Sequence, residues 1–404
     1  MSKKDSITNE KTRILYLGSG GFPFGSAAVQ RQIQLAKSLI HAGYEVTVVN
    51  NRSTHDKKIA RRESLKILGR YQGIQYFYSS LFTYRPKNIF VRKAARLTGN
   101  VIEVLTLLYF KVFKRTNHIL LRAHKLKTLK YYYFITRVLK LELIYDYVEF
   151  YDSISNRDIV TYKNTKNSFD FNLTKYLDKV IVISVFLDNH IMKLNADVPV
   201  IKIPPIIDFD YFKKIEFKRT RKPFFLFCGS AAYMDIIEFI INSYSKSIAI
   251  NNGYGLKLVI NGNSEQLGKL NDFIEKNGKK IELLTKLPYL DLIGLYKSAT
   301  ALLIPISNNL QDAARFPFKI CEYVASSNPI ITSDAGAITE YFEDNVNAFI
   351  AVSDNVDDFT NKLNIVIGQP ELAVKVGNTG YEFGKTVFNY KSYSEDLRKL
   401  IESR

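Results

Sequence analysis

Residues 315–349, RFPFKICEYVASSNPIITSDAGAITEYFEDNVNAF, constrain the fold more than any other stretch of the chain. A helical pattern over residues 318–326 stops at Asn328-Pro329, and a short apolar strand follows at residues 330–332. Asp334-Ala335-Gly336 then turns the chain into a second helix near residues 337–342. Lys319 and Glu322 stand at i, i+3 spacing on the first helix, so they share a face. That face can meet the crevice at the carboxyl end of the following strand, where open α/β sheets bind ligands. A cation there suits a diphosphate. A carboxylate suits a vicinal ribose diol, which donates two hydrogen bonds. The competing reading is an ordinary amphipathic helix and strand with incidental charges.

The chain has 404 residues, more than a usual single domain, and both halves hold enough apolar residues for a core. Cys228 and Cys321 are the two cysteines, too few and too scattered for a disulfide scaffold or a metal site, which points to a reducing compartment. Residues 1–11 are polar and lack the apolar centre of a signal peptide, and no uninterrupted apolar run is long enough to cross a bilayer. The expected location is the cytoplasm.

The net charge is +18, and it is unevenly spread. Residues 85–140 carry 14 Lys or Arg against one acid, Glu103. Within them, residues 101–110 are close to purely apolar, with Arg92, Lys93 and Arg96 before and Lys111, Lys114 and Arg115 after. Such a segment suits the interface of an anionic membrane, and it equally suits a core helix with a solvated basic face. Nucleic acid ranks below both as a partner, because no nucleic-acid-binding module is visible.

The first half opens with an α/β unit. Residues 13–17 read as a buried strand, 18–26 as a glycine-containing loop, 27–42 as a helix ended by Gly43, and 45–49 as the next strand. The loop is not a dinucleotide fingerprint. Pro23 falls where the third glycine belongs, and Asn50-Asn51 stand where an acid would hold the ribose. Residues 143–152 read as a strand that ends in acids, and 179–184 as another strand followed by a helix. Ile203-Pro204-Pro205 is a rigid extended piece suited to a connection between domains. The plan then restarts: a buried strand at 224–228, a tight turn at 229–232, a helix from Met234, and strands at 258–262, 281–285 and 301–305.

The order of these elements, with Pro317, Lys319, Glu322, Tyr323, Ala325, Pro329, Ser333, Asp334, Gly336 and Glu340, resembles the glycosyltransferases of GT-B fold, especially the retaining group called family 4. The chain departs from that pattern at Ser327, where the family usually has glycine, and at Ala314, where it often has a glutamate that contacts the donor sugar. The resemblance is strong over residues 222–362, moderate over 13–49 and 143–205, and absent over about 55–140.

It implies an α/β, GT-B architecture of two Rossmann-like domains whose parallel sheets face across a cleft. Residues 1–11 are a flexible N-terminus and 12–205 an acceptor-binding domain containing the basic segment 85–140. Residues 206–382 form the nucleotide-sugar-binding domain, and 383–404 include a helix that crosses back to the first domain. The implied reaction is transfer of a sugar from a nucleotide-sugar to a hydroxyl acceptor with retention, and the implied enzyme is a hexosyltransferase. On the donor side the resemblance brings in Gly229 and Ser230 at the diphosphate turn, with Lys286 and Leu287 in the base-contacting loop. It adds Glu322 for the ribose, Gly336 in the following turn, and Lys319 with Arg315 as the cations. The family usually has an Arg and a Lys just after the diphosphate turn, where this chain has Tyr233, Met234 and Asp235. Gly21, Gly25, Ser26, Arg31 and Asp152 fall on the acceptor side, with a solvated surface arginine as the competing reading of Arg31. Glu149 is a candidate base for the acceptor hydroxyl, against a solvated strand end. No metal and no cofactor are expected. The expected partners are a nucleotide-sugar, a lipid-linked acceptor or surface-polysaccharide precursor, and the inner face of an anionic membrane. An epimerase acting on nucleotide-sugars and a non-catalytic sugar- or lipid-binding relative remain as alternatives.

Overall fold

A computed structural model describes residues 12–403 apart from 19, 26, 115, 154–167, 218–221 and 278. The expected flexible N-terminus, residues 1–11, therefore lies outside the described residues, as does Ser26. The chain divides into two compact units. The first runs to Ile203 and takes up the chain again at Tyr390; the second is Pro204–Asn389.

The sheet of the first unit has the order β3-β4-β2-β1-β5-β6-β7-β8 among the described residues. Its strands are β1 (Arg13–Leu17), β2 (Glu45–Asn50), β3 (Leu68–Tyr71), β4 (Ile74–Tyr78), β5 (His118–Leu121), β6 (Glu142–Tyr147), β7 (Lys179–Val182) and β8 (Val200–Lys202). Every pairing is parallel except that of β3 with β4. This hairpin forms one edge of the otherwise parallel sheet. Gln72 and Gly73 both take positive φ, which matches the turn twist that joins two antiparallel strands. It falls in the stretch where the resemblance gives no guide.

Helix α1 (Ala27–His41) follows β1 through a loop in which Gly18 has φ +86°. A Cβ at Gly18 would stand 1.9 Å from the Arg122 carbonyl oxygen, so a side chain is excluded there. The chain's last helix, Ser394–Glu402, packs on α1 in the same unit, with His41 Nδ1 3.0 Å from Ser394 Oγ. Buried Lys179 donates to the carbonyls of Ile401 and Ser403 at 2.9 and 2.6 Å. A cation at the carboxyl end of a helix meets its exposed carbonyls and its negative pole. The chain returns to this unit at Tyr390, because the helix expected to start the return runs on to Val387 inside the second unit.

Helix α2 (Lys57–Arg62) is short. Helix α3 (Ile89–Phe113) is 25 residues long and is capped by Asn88, whose Oδ1 accepts from the amides of Phe90 and Val91. Its inward face is narrow and small: Ala95, Gly99, Glu103 and Leu107. Glu103 accepts from Tyr132 Oη at 2.5 Å, on helix α4 (Leu126–Leu139), and burial raises its carboxyl to about 7. The outward face is apolar, with Leu97, Val101, Leu105, Leu108 and Val112 all exposed. Amphipathicity on α3 is thus reversed relative to an ordinary surface helix.

The second unit is a parallel sheet of order β11-β10-β9-β12-β13-β14. The strands are β9 (Phe224–Ser230), β10 (Gly255–Asn261), β11 (Ile281–Leu284), β12 (Ala301–Ile304), β13 (Ile330–Ser333) and β14 (Phe349–Ala351). Strand residues such as Phe225, Leu258, Leu303 and Ile331 are fully buried beneath covering helices, which accounts for their unbroken apolar runs. Strand β9 extends to Ser230 and pairs with β10 through Gly229 and Ser230, so the turn expected from residue 229 begins at Ala231.

Candidate active site

In the second unit the candidate residues gather past the carboxyl ends of β9, β12 and β13. The helix Lys319–Ala325 lies there, with all but its first residue buried. Lys319 is half-buried in the first turn, and it makes no ion pair among the described residues. Its charge acts on Cys228 near the end of β9 and on Glu322 one turn along.

Glu322 is 4% exposed. Its Oε1 accepts from Tyr289 Oη at 2.7 Å and its Oε2 from Tyr296 Oη at 3.4 Å. Burial raises the carboxyl to about 7, against the opposing pull of Tyr289, Lys319 and Tyr296. Burial also pushes the Tyr289 hydroxyl well above its usual range, so it remains a donor. Tyr289 begins the helix Tyr289–Ser298, directly after Lys286, Leu287 and Pro288. The loop expected to face the base is thereby tied to the residue expected to face the ribose. Lys286 is exposed and takes φ +56°. A non-glycine residue in this region is strained, and such strain persists where the surroundings fix it.

Arg315 sits between two partners. Its Nε donates to Asp312 Oδ1 at 2.7 Å and its Nη1 to Tyr233 Oη at 3.2 Å, with the guanidinium 5.3 Å from the Tyr233 ring centre. Tyr233 directly follows the Ala231-Ala232 turn after β9. A cation thus reaches this turn from a distant part of the chain, although none follows the turn in sequence. Gly336 has φ +58°, and a Cβ there would stand 2.6 Å from the Asp312 carbonyl oxygen. The Asp334–Gly336 turn therefore needs glycine to lie against the short helix that carries Asp312. Gly229 is crowded in another way, since a Cβ would meet the Phe227 ring at 2.7 Å. Ala314 is fully buried and offers no carboxylate.

The first unit holds the other candidates. Arg31 is not a solvated surface residue. It is 2% exposed, and its Nε donates to Asp146 Oδ1 and Oδ2 at 2.9 and 3.2 Å. Its Nη1 donates to the Ile203 carbonyl, and Tyr16 Oη adds a bond to Asp146 Oδ2. Burial of both charges is tolerated because each gains further hydrogen bonds. The strand expected over residues 143–152 ends at Tyr147, and the chain then bends through Glu149 into a turn at Tyr151–Ser153. Glu149 is half-buried and acts electrostatically on Arg122 and Tyr151. Asp152 is 9% exposed; its Oδ2 accepts from Asp170 N, and its own amide donates to Asp170 Oδ2. The neighbouring Asp170 carboxyl is raised to about 7 by burial and by Asp152. Gly21 and Gly25 flank the loop before α1, and a Cβ at Gly21 would meet Thr54 Oγ1 at 3.0 Å.

Sequence reasoning missed Tyr289, Tyr296, Tyr233 and Asp146. The signal for Tyr289 was present: the stretch Lys286-Leu287-Pro288-Tyr289, read as the start of the base-contacting loop, ends in this phenol. The other three are set only by packing.

Residues 208–383 match the family model described as "Glycosyl transferases group 1". An uncharacterized glycosyltransferase of Methanocaldococcus jannaschii is 25% identical over 254 residues, which is 62% of this chain and 67% of that one. Among solved structures, sucrose-phosphate synthase from Thermosynechococcus elongatus has a TM-score of 0.71 at 14% identity, covering 97% of this chain and 98% of that one. The Anabaena protein HepE, in complex with UDP and glucose, has a TM-score of 0.67 at 14% identity, covering 97% of this chain and all of its own. At such identities the structural likeness speaks for the fold, which is that of GT-B proteins.

Proposed function

We propose that this chain, whose residues 208–383 form a glycosyl transferases group 1 domain within a GT-B fold, is a retaining hexosyltransferase. It moves a sugar from a nucleotide-sugar donor to a hydroxyl on a lipid-linked acceptor or surface-polysaccharide precursor. The observation that carries this reading is the buried Glu322 carboxylate held by Tyr289 and Tyr296, one turn from Lys319, which makes no ion pair among the described residues. Glu322 takes the ribose hydroxyls, and the loop at Lys286 and Leu287 lies along the base. Lys319 and Arg315 offset the charge that grows on the leaving diphosphate, the main electrostatic demand of the step. Glu149 receives the acceptor hydroxyl, and no resident metal or cofactor is assigned a part. Incubating the protein with UDP-sugars and a phospholipid-linked acceptor, then measuring released UDP, tests the reading. An epimeric nucleotide-sugar as product, with no sugar on the acceptor, would identify an epimerase instead.

The raised Glu322 carboxyl gives a pH signature. Two ribose hydroxyls need an ionised acceptor, and in the free protein this group holds its proton until about pH 7. UDP affinity should therefore rise between pH 5 and 7, by up to about tenfold per unit, and flatten above. In Glu322→Gln this dependence should disappear. The stability contribution of the group has the opposite sign. Its folded pKa lies above the ordinary 4.5, so the contribution is complete below 4.5 and is lost as pH rises through about 7. Calorimetric titration of both proteins across this range checks the prediction. Identical pH profiles would remove Glu322 from the ribose.

The acceptor reading is supported by the exposed apolar face of α3 and by Phe134 and Val138 on α4. No helix among the described residues is long and apolar enough to cross a membrane. The proposed arrangement is α3 lying in the interface on the inner face of an anionic membrane, with lysines and arginines near the headgroups. Two of the cations expected there are engaged within the unit: Lys111 with Asn117 and the Lys140 carbonyl, and Arg122 with the Ala28 carbonyl. Replacing Leu97, Val101 and Leu105 with Ser should remove most of the vesicle binding that survives high salt, at roughly 1–2 kcal/mol per side chain. Wild-type protein that does not sediment with anionic vesicles at low salt would sink the membrane reading.

A further inference from the structure

We propose that the first unit contains a separate phosphoryl-group site, formed where β2, β4 and the first turns of α3 meet. A pocket of about 310 Å³ opens there. Its walls carry five cations: Arg52 after β2, Arg85 after β4, and Arg92, Lys93 and Arg96 on α3. No carboxylate lines it, and none of the five makes an ion pair among the described residues.

Several features converge on an anionic ligand. Strands β2 and β4 run parallel and both end at the pocket, the end at which open α/β sheets bind ligands. Five like charges around one concavity repel one another, and an anion relieves that repulsion. Guanidinium groups pair with phosphate oxygens through two hydrogen bonds each, and three or four of them can surround one diphosphate. The positive pole of the 25-residue helix α3 adds to the field at the same place. Ser53, Thr54 and Tyr84 are among the neutral polar residues of the lining, and the hydroxyls of Ser53 and Thr54 are held by the carbonyls of Thr83 and Gly20.

The pocket is also linked to the loop before α1. Thr54 donates through both its amide and its hydroxyl to the Gly20 carbonyl, and the Arg52 side chain covers Gly20. Its volume is at the small end of the ~300–1,000 Å³ typical of small-molecule sites, which suits a headgroup and not a nucleic-acid strand. Exposed apolar residues stand on α3 from its first turn, at Ile89, Phe90 and Val91, and beyond Arg96 they continue through Leu97, Val101 and Leu105. A phosphate-bearing amphiphile would place its head in the pocket and its chain along this face. That lipid source rests on the proposed membrane reading; the phosphoryl site itself does not.

The test uses the full chain with inorganic pyrophosphate as probe, in the presence of saturating UDP so that the second unit is occupied. The variant Arg52→Gln/Arg92→Gln/Arg96→Gln should lose about tenfold or more in pyrophosphate affinity. The control Lys66→Gln/Lys125→Gln/Lys127→Gln, with the same charge change elsewhere on the unit, should bind as wild type. Arg96→Glu alone should also weaken binding, which guards against misfolding of the triple variant. Vesicles carrying phosphatidic acid separate the sources. Release of bound protein by pyrophosphate marks a lipid phosphate, and retention marks a soluble phosphoryl ligand. Equal pyrophosphate binding by the pocket and control variants, or none by wild type at millimolar concentration, overturns the site. UDP binding is read in each protein separately, so loss of this site and failure of the proposed transfer reaction appear as different results.

Discussion

Lys319→Met is expected to lower kcat for sugar transfer by roughly 10²–10³-fold, with a much smaller change in UDP affinity. Lys319 is half-buried at the start of its helix and makes no direct ion pair among the described residues, so its ammonium group can turn to a bound diphosphate. A group that stabilises charge developing on the leaving diphosphate contributes more in the transition state than in the ground state. Single-turnover transfer measured beside UDP titration separates the two effects. A variant that lost UDP affinity and kcat/KM in parallel, with kcat intact, would make Lys319 a binding residue only. Arg315 should be the weaker case, because Asp312 already holds its guanidinium.

Asp146→Ala should destabilise the first unit by about 3–5 kcal/mol. The substitution would leave Arg31, 2% exposed, without its carboxylate and would strip a bond from Tyr16. The double replacement Arg31→Met/Asp146→Leu should cost far less, since apolar groups of similar size can replace a buried pair. Denaturant unfolding followed by a probe in the first unit reads the difference, and UDP binding by the second unit serves as the control. Loss of less than about 1 kcal/mol in Asp146→Ala would place the pair with weakly contributing surface ion pairs.

Much of the second unit was legible from the chain alone. Its inner strands are buried, so each appears as a short apolar run with a turn on either side, while their order in the sheet came from the structure. The first unit was legible only where the same rule applies. Its hairpin β3–β4 was not, and of helix α3 only the apolar run 101–110 was, because an edge strand and an outward-facing apolar face do not follow the patterning rules on which such reading depends. Arg31 shows the same limit. One turn into a helix, an arginine reads as solvated, and only the fold brings Asp146 from β6 beneath it.

The sequence by itself determined the α/β class, a restart of the plan after residue 205, and the helical pair Lys319 and Glu322, because these follow from local periodicity and spacing. Tertiary structure decided what each charge faces. It brought Tyr289 and Tyr296 onto Glu322, Arg315 onto Tyr233, and five cations around one pocket from three separate elements. Hydrogen bonds and Coulomb forces act through space over a few ångströms, so distance along the chain does not reveal them.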